Sequence, residues 1–222
     1  MKLFAAAVFL GICVLAVMIV VSQSGSGGGG DENIEGAADV KAELAGLEQS
    51  GQAIGDPGAP VTLIEYGDLQ CPVCRAFNEE TVTELLAGPI RSGEAKMEFR
   101  QWPILGDDSV TAAKAALAAE EQGAYWPFIE LFYVNQGTEN SGYVTDGFLE
   151  AVAEGAGVKD LDAWNEARQE EALTAKLEAV DLEAQNGGFT GTPTLVVRGP
   201  GGEKVLGPST FDDVQSAIDE VS

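Results

Sequence analysis

The longest apolar stretch of the chain lies at its N-terminus. Residues 3–21 (LFAAAVFLGICVLAVMIVV) contain no charged side chain, and a helix of this length is roughly 28 Å long, close to the hydrocarbon thickness of a bilayer. A cleaved signal peptide has a shorter apolar core and a small-residue cleavage site, which VVSQS matches poorly. The pattern therefore predicts an uncleaved transmembrane anchor over residues 1–21, with a cleaved signal as the alternative.

Glycine, serine and acidic residues dominate the next segment, residues 22–52. SQSGSGGGG is typical of a flexible tether, and DVKAELAGLEQ is compatible with a short helix. The segment is predicted to link the anchor to a folded domain over residues 53–222. Lys2 is the only cation before the apolar stretch and acidic residues follow it, so the N-terminus is expected in the cytoplasm. The predicted location is the cell membrane, crossed once, with the domain on the extracytoplasmic side.

Strand and helix patterns alternate along the rest of the chain. VTLIEY (61–66) predicts a buried strand, and the residues from 72 to 86 predict a helix that GP at 88–89 should end. AKMEFRQW predicts a second strand, and helical patterns fill about residues 105–188. TPTLVVRG and EKVLG predict a hairpin, and FDDVQSAIDEV predicts a closing helix. This order predicts an α/β fold with a mixed sheet and a helical insertion between the second and third core strands.

Composition removes several classes of function. The chain has no histidine, which excludes Ser-His and Cys-His nucleophile pairs and His-ligated zinc. Its formal net charge is −24, from 36 acidic and 12 basic residues. A surface of this sign repels nucleic acid, so no nucleic-acid partner is expected.

The segment GDLQCPVCRAF (67–77) holds two cysteines where the first predicted strand ends and a helix begins. The N–H groups and the dipole of a helix N-terminus stabilise a thiolate, which favours Cys71 as the nucleophile. Cys74, one turn later, is expected to be less exposed and to resolve the mixed disulfide that Cys71 forms. Pro72 suits the first helical turn because no N–H is needed there.

Two other interpretations of the cysteine pair are weaker. A structural zinc site needs four ligands, and the predicted domain offers two cysteines and no histidine. A structural disulfide between positions three apart closes a very small loop and would add little stability. The pattern therefore favours redox chemistry by a Cys71–Cys74 disulfide, with no metal and no further cofactor.

Three segments together resemble the DsbA family of the thioredoxin superfamily: GDPGAPVTLIEYGDLQCPVCRAF, FRQWPILGDDS and GGFTGTPTLVV. The resemblance covers roughly residues 53–222 and implies a thioredoxin-like fold. It also implies a cis Pro193 that faces the cysteines, in a loop that binds substrate backbone and keeps metals away from the thiols. Thr192 would then lie near the sulfur of Cys71 and donate a hydrogen bond to it. Glu65 matches a buried acid of related proteins, with the proposed role of relaying the proton when Cys74 deprotonates.

The residue before Cys74 departs from the best-known oxidases, which have Pro-His between the cysteines where this chain has Pro-Val. Val73 supplies no cationic N–H, and acidic surroundings act in the same direction, so the pKa of Cys71 should exceed that of those oxidases.

The resemblance implies an enzyme that introduces disulfides into exported, cysteine-containing proteins. A quinone-linked membrane thiol oxidase of the DsbB or VKOR type would reoxidise it. A reductase or isomerase on the same side of the membrane is one alternative. A non-catalytic tethered interaction or metal-handling module is another.

Overall fold

A computed structural model describes residues 33–222 of the chain. The predicted anchor at residues 1–21 and the first part of the predicted linker lie outside these described residues. None of the helices within residues 33–222 combines the length and the apolar character needed to span a bilayer.

A mixed sheet of six strands lies at the centre of the described region, in the order β1–β2–β4–β3–β5–β6. The strands are β1 (Gln49–Ser50), β2 (Ala53–Ile54), β3 (Val61–Gly67), β4 (Ala95–Gln101), β5 (Thr194–Gly199) and β6 (Gly202–Leu206). β3 pairs with β4 in parallel, and the other neighbours are antiparallel. The predicted strands and hairpin are confirmed. β3 has a neighbour on each edge and helices on each face, which explains its nearly continuous apolar sequence.

Helices cover both faces of this sheet. They are α1 (Ala37–Glu43), α2 (Pro72–Phe77), α3 (Thr83–Leu85), α4 (Asp107–Glu120), α5 (Tyr125–Val134), α6 (Asp146–Ala156), α7 (Leu161–Ala167), α8 (Glu171–Asn186) and α9 (Phe211–Val221). The helices α4 to α8 lie between β4 and β5 in the chain. The predicted α/β fold with a helical insertion between two core strands is therefore confirmed.

Successive residues of β3 face different cores, as the alternation of a strand requires. Leu63 belongs to the large hydrophobic core that includes residues of α2, α4, α5 and α9. Ile64 and Tyr66 belong to a smaller cluster with Ala184 of α8. Glu65, between them, shares the side of Leu63 and so faces the large core.

The helical segment after the cysteines runs further than the sequence predicts. Two π-helical turns, Asn78–Val82 and Leu86–Ile90, alternate with α2 and α3. The prediction that GP at 88–89 ends the helix is wrong, because Pro89 lies inside the second π-helical turn and accepts a hydrogen bond at its carbonyl from the N–H of Glu94. An α-helix would force the proline ring against the carbonyl four residues earlier, whereas a wider turn relieves that clash.

Part of the predicted linker is folded. Residues 37–43 form α1, and Gln49–Ser50 form β1, which pairs with β2. Val40 and Leu44 are buried in the large core. The guanidinium of Arg91 also donates hydrogen bonds to the carbonyl oxygens of Glu43 and Ala45, at 2.6 and 2.9 Å. The folded region therefore begins before residue 53. A few buried apolar residues and the hydrogen bonds from Arg91 hold this acidic, glycine-rich segment against the rest of the domain.

Candidate active site

Both cysteines lie at the start of the helical segment that follows β3. Cys71 is the N-cap residue of α2, and Pro72 occupies the first helical position, where a missing N–H costs nothing. Both cysteines are free thiols in the structure. Cys71 is 6% exposed and Cys74 is fully buried, so Cys71 is the more accessible of the two cysteines. The Sγ of Cys71 accepts a hydrogen bond from the N–H of Cys74 at 3.4 Å.

Hydrogen bonds to its sulfur dominate the proton affinity of Cys71. The pKa of Cys71 is lowered to about 6, and the hydrogen bond with the Cys74 side chain is the largest cause. Burial acts in the opposite direction and raises the pKa. Hydrogen bonds from the Thr192 side chain and from the N–H groups of Cys74 and Val73 lower it further. Reactive cysteines in Cys-x-x-Cys motifs have pKa values from about 3.5 in DsbA to about 7 in thioredoxin, so the value for Cys71 falls within that range. At neutral pH Cys71 is therefore mainly a thiolate.

Cys74 has the opposite character. Burial raises its pKa well above the usual value, and both the hydrogen bond to Cys71 and the negative charge of Glu65 act in the same direction. A thiolate and a thiol thus lie three residues apart on one helical turn. This asymmetry lets one sulfur form a mixed disulfide while the other waits in the protonated form.

The loop before β5 lies against the reactive sulfur. The peptide bond between Thr192 and Pro193 is cis, and the Sγ of Cys71 is 3.6 Å from the carbonyl oxygen of Thr192. In this contact the Thr192 carbonyl accepts from Cys71 when the sulfur carries its proton, so the contact belongs to the thiol form and not to the thiolate. The hydroxyl of Thr194 donates to the carbonyl oxygen of Gly191 at 2.7 Å, which closes the loop on itself.

Glu65 is fully buried on β3 below the cysteines. Neither of its carboxylate oxygens has a hydrogen-bond partner among the described residues. Burial raises the pKa of Glu65 well above the usual value, and the charges of Glu130 and Cys71 raise it further. Gly67, two residues on, leaves room for this carboxyl, because a Cβ there would overlap the Phe99 ring and lie 3.1 Å from the Oε1 of Glu65.

Asp68 braces the loop between β3 and the cysteines, a role that the sequence did not reveal. Its side chain is nearly fully buried. One carboxylate oxygen accepts from the N–H of Gln70 at 2.8 Å. The other accepts from the N–H groups of Ile104 and Leu105 at 2.8 and 3.0 Å. The only sequence signal was its place between the strand and the cysteine pair.

The helical insertion supplies a second brace. The Gln136 side-chain amide donates to the carbonyl oxygens of Leu69 and Cys71, at 2.7 and 3.2 Å. Gln70 donates to the hydroxyl of Ser109 at 3.0 Å and accepts from the N–H of Asn140 at 3.0 Å. These contacts fix the backbone around Cys71 from residues far along the chain.

A cleft of about 430 Å³ opens beside the first turn of α2. Its apolar lining includes Val73, Phe77 and Phe211, and its acidic lining includes Glu80 and Glu84. Val73, one of the two residues between the cysteines, is 47% exposed, so its side chain lies at the surface of this cleft.

Residues 33–222 contain no group of three or more cysteine and acidic side chains arranged to hold a metal ion. Among the described residues, the site brings together the two sulfurs and, buried on β3, the carboxyl of Glu65. A thiolate at a helix N-terminus, a protonated thiol one turn later and a mixed α/β sheet with inserted helices define a thiol:disulfide oxidoreductase.

Comparison with known proteins gives the family. A family model described as thioredoxin matches residues 48–220, and the chain belongs to this family. The chain is 27% identical over 172 residues to "Probable disulfide bond formation protein D" of Bacillus cereus, across 76% of this chain and 77% of that protein.

Two solved structures share the fold. Oxidised BdbD from Bacillus subtilis matches with a TM-score of 0.69 and 24% identity, covering 78% of this chain and 96% of its own. DsbA2 from Pseudomonas aeruginosa matches with a TM-score of 0.65 and 24% identity, covering 80% and 97%. The prediction of a DsbA-like thiol:disulfide oxidoreductase with a thioredoxin-like fold is confirmed.

Proposed function

We propose that this oxidoreductase introduces disulfide bonds into exported proteins, with Cys71 as the nucleophile and Cys74 as the resolving cysteine. The observation that carries the proposal is the opposite proton affinity of the two thiols. The pKa of Cys71 is lowered to about 6, whereas that of Cys74 is raised. A stabilised Cys71 thiolate leaves a mixed disulfide readily, so the disulfide passes to the substrate and the enzyme remains reduced.

The cycle starts from the Cys71–Cys74 disulfide. A substrate thiolate attacks the sulfur of Cys71, the bond to Cys74 breaks, and Cys74 leaves as a thiolate that takes a proton. A second substrate thiolate then attacks the substrate sulfur of the mixed disulfide and releases Cys71 as a thiolate. Two electrons pass from the substrate to the enzyme, and the substrate gains one disulfide.

Three further residues have proposed roles in this cycle. Glu65 exchanges a proton with Cys74, a role supported by its burial and by its electrostatic effect on that thiol. The loop at Thr192 and Pro193 binds the substrate backbone, which the 3.6 Å contact with the sulfur of Cys71 supports. Without a metal or another cofactor in this scheme, the Cys71–Cys74 disulfide is the only carrier of electrons.

The reduced enzyme must be oxidised again before the next turnover. We propose a quinone-linked membrane thiol oxidase of the DsbB or VKOR type as this partner. The apolar residues 3–21 would anchor the chain in the cell membrane close to such a partner, with the catalytic domain on the extracytoplasmic side. The name of the Bacillus cereus relative, a disulfide bond formation protein, supports the oxidative direction.

A reductase or isomerase is the second candidate. The pKa of Cys71, about 6, lies closer to that of thioredoxin, about 7, than to that of DsbA, about 3.5. A less acidic thiol makes a weaker oxidant, because the dithiol form is then less stabilised.

The reduction potential separates the two directions. The full chain in detergent is equilibrated with glutathione buffers, and the dithiol fraction is measured after acid trapping. Disulfide formation predicts a potential clearly above about −200 mV, whereas a value near about −270 mV, that of thioredoxin, would overturn it.

Two variants serve as controls for this measurement. Cys71→Ser should abolish exchange with glutathione. Cys74→Ser should accumulate the mixed disulfide with glutathione, because the resolving thiol is missing.

A further inference from the structure

Glu130 is a buried acid that has no role in the catalytic cycle proposed above. It lies in α5 (YWPFIELFYV), where it is the only charged residue, and it is 3% exposed. A carboxyl in an apolar interior costs folding free energy unless its surroundings compensate. Its surroundings connect it to the cysteines.

Asn78 joins Glu130 to the helix that carries both thiols. The Asn78 side-chain amide donates to the Oε1 of Glu130 at 3.0 Å. The N–H of Asn78 donates to the carbonyl oxygen of Cys74 one turn earlier. Two hydrogen bonds thus link the Glu130 carboxyl to the backbone of Cys74.

Tyr133 continues the same face of α5 toward the active site, three residues after Glu130. Its hydroxyl donates to the carbonyl oxygen of Asp68 at 3.3 Å. Its ring packs edge-on against Phe99, at 6.3 Å between centroids. Phe99 is the partner of Glu65 in the pairing of β3 with β4. The helix that carries Glu130 and Tyr133 therefore packs against the β4 residue that pairs with Glu65.

The two carboxyls influence each other through their charges. After burial itself, Glu130 is the largest cause of the raised pKa of Glu65. Burial raises the pKa of Glu130 to about 8, the hydrogen bond from Asn78 opposes this, and Glu43 adds to it. Glu43 lies at the end of α1, which packs on α5.

The other titratable groups around Glu65 are uncharged or negative. Cys71 and Cys74 face it from α2, and Tyr125 and Tyr133 from α5. Burial raises the pKa of both tyrosines, which stay neutral. Since two like charges in one apolar interior repel strongly, ionisation of one carboxyl disfavours ionisation of the other.

We propose that Glu130 is a positioning residue for the thiol chemistry, which acts through Glu65 by controlling when that carboxyl can accept the proton of Cys74. The inference rests on the proposed role of Glu65. The step concerned belongs to the reoxidation of the reduced enzyme through a mixed disulfide at Cys71, in which Cys74–SH and Glu65–COO⁻ become Cys74–S⁻ and Glu65–COOH. The Cys74 thiolate then attacks Cys71 in the mixed disulfide, the Cys71–Cys74 bond forms, and the bound thiol leaves with the electron pair.

The charge state of Glu130 determines the pH at which this step runs. While Glu130 is ionised, its negative charge keeps the proton on Glu65, and Glu65 becomes an acceptor only at higher pH. Neutralising Glu130 should let Glu65 ionise at lower pH. The resolving step should then reach its full rate at lower pH as well.

Glu130→Gln tests this with little change of shape, since the amide oxygen can still accept from Asn78. The first readout is the ¹³C carboxyl shift of Glu65 against pH in the full chain, assigned with Glu65→Gln. The second is the single-turnover rate at which Cys74 releases a fluorescent thiol from Cys71, against pH. Both midpoints should fall by about one pH unit, the lower end of the effect of a nearby charge.

Glu121→Gln is the matched control, because Glu121 is an exposed acid at the C-terminal end of α4. It removes the same charge and should leave both midpoints unchanged. A folded Glu130→Gln variant with an unchanged Glu65 midpoint overturns the proposal. The proposal is also overturned if the titration midpoint of the Glu65 carboxyl shifts while the pH profile of thiol release does not.

Asn78→Ala keeps the test decisive if Glu130→Gln does not fold. It removes the hydrogen bond that favours ionised Glu130, so the midpoint of Glu65 should again fall, and a rise would overturn the proposal. If the wild-type chain exchanged no disulfides, the proposed function would fail. The carboxyl titration would still show whether Glu130 acts on Glu65.

Discussion

On one face of β3, the carboxyl of Glu65 is buried without a hydrogen-bond partner among the described residues. On the other face, one residue later, the hydroxyl of Tyr66 donates to Glu183 at 3.3 Å. Arg100 donates to the same Glu183 at 3.1 Å and to Glu98 at 2.8 Å. The first face thus holds an unpaired acid beside two thiols, and the second holds paired charges near solvent.

This difference separates two uses of charged residues. The two groups of an ion pair do not readily exchange protons, because each partner stabilises the charged form of the other. An acid without a cation has a raised pKa, so it can hold a proton at a pH where a paired acid is ionised and can pass that proton to a neighbouring thiolate. The face of β3 whose buried carboxyl lacks hydrogen-bond partners is therefore the one that can transfer a proton. Departures of this kind from the rules for stable packing are expected at functional sites.

The largest expected effect concerns the pH dependence of stability on the thiol face. The pKa of Cys71 is lowered from 9.0 to about 6 in the folded protein. Its thiolate therefore stabilises the reduced fold, and this stabilisation is complete above the pKa that Cys71 has in the unfolded chain. This stabilisation is lost as the pH falls through about 6. Relative to Cys71→Ser, the reduced protein should therefore lose on the order of 3 kcal/mol between about pH 8.5 and pH 5.

Urea unfolding of both proteins under reducing conditions measures this difference. Both proteins contain Cys74, so its contribution to the pH dependence of stability largely cancels in the difference. That contribution appears only at alkaline pH, because the pKa of Cys74 is raised. A difference that stays constant with pH would mean that Cys71 is an ordinary thiol.

The next effect has opposite signs for stability and for activity. Glu65→Leu removes an unpaired buried carboxyl, so the free energy of unfolding should rise by about 1–3 kcal/mol. The same change removes the proposed proton acceptor and should slow the release of a thiol from Cys71 by about 100-fold at neutral pH. Urea unfolding and single-turnover kinetics measure the two effects. A variant that is less stable and equally fast would contradict the contrast between the two faces.

A smaller effect is expected on the opposite face from Trp102→Phe. The indole N–H of Trp102 donates to Asp181 at 2.9 Å, and loss of this bond should cost about 1 kcal/mol. The rate of thiol exchange should stay unchanged, since the indole lies on the side of α8. Thermal unfolding and a glutathione exchange assay check both statements, and a slower exchange would show that the two faces are coupled.

The smallest effect is expected from Glu183→Gln. The Glu183 side chain is about half exposed and pairs with Arg100 at 3.1 Å. An exposed pair of this kind contributes about 0–1 kcal/mol and is screened by salt. The melting temperature should fall slightly at low ionic strength and match the wild type in molar KCl. A large loss that persists in salt would mean that this ion pair is important for the fold.

Local patterns were enough to predict much of the site. The strand before Cys71, the capping position of Cys71 and the proline loop before β5 are each encoded by a short segment. Their relative placement follows from the order of strands and helices. The same reasoning put Glu65 in the interior, because apolar neighbours on a central strand imply burial on both faces.

What local patterns missed depends on contacts between distant segments. Asp68 is held by the N–H groups of Ile104 and Leu105, and Gln136 reaches the backbone at Cys71 from the insertion. Neither contact has a periodic signal. Glu130 likewise looks like a single polar position in an apolar helix until Asn78 is seen beside it.

The order of pairing in the sheet has a consequence for synthesis. Leu63 in β3 pairs with Met97 in β4 but also with Val197 in β5, so the central strand gains its second neighbour only from the last part of the chain. Contacts at such separation form late and slowly. The loop that lies against the Cys71 sulfur precedes β5 directly. A nascent chain that ends before β5 therefore carries both thiols in an incomplete fold, open to reactions that the finished protein controls.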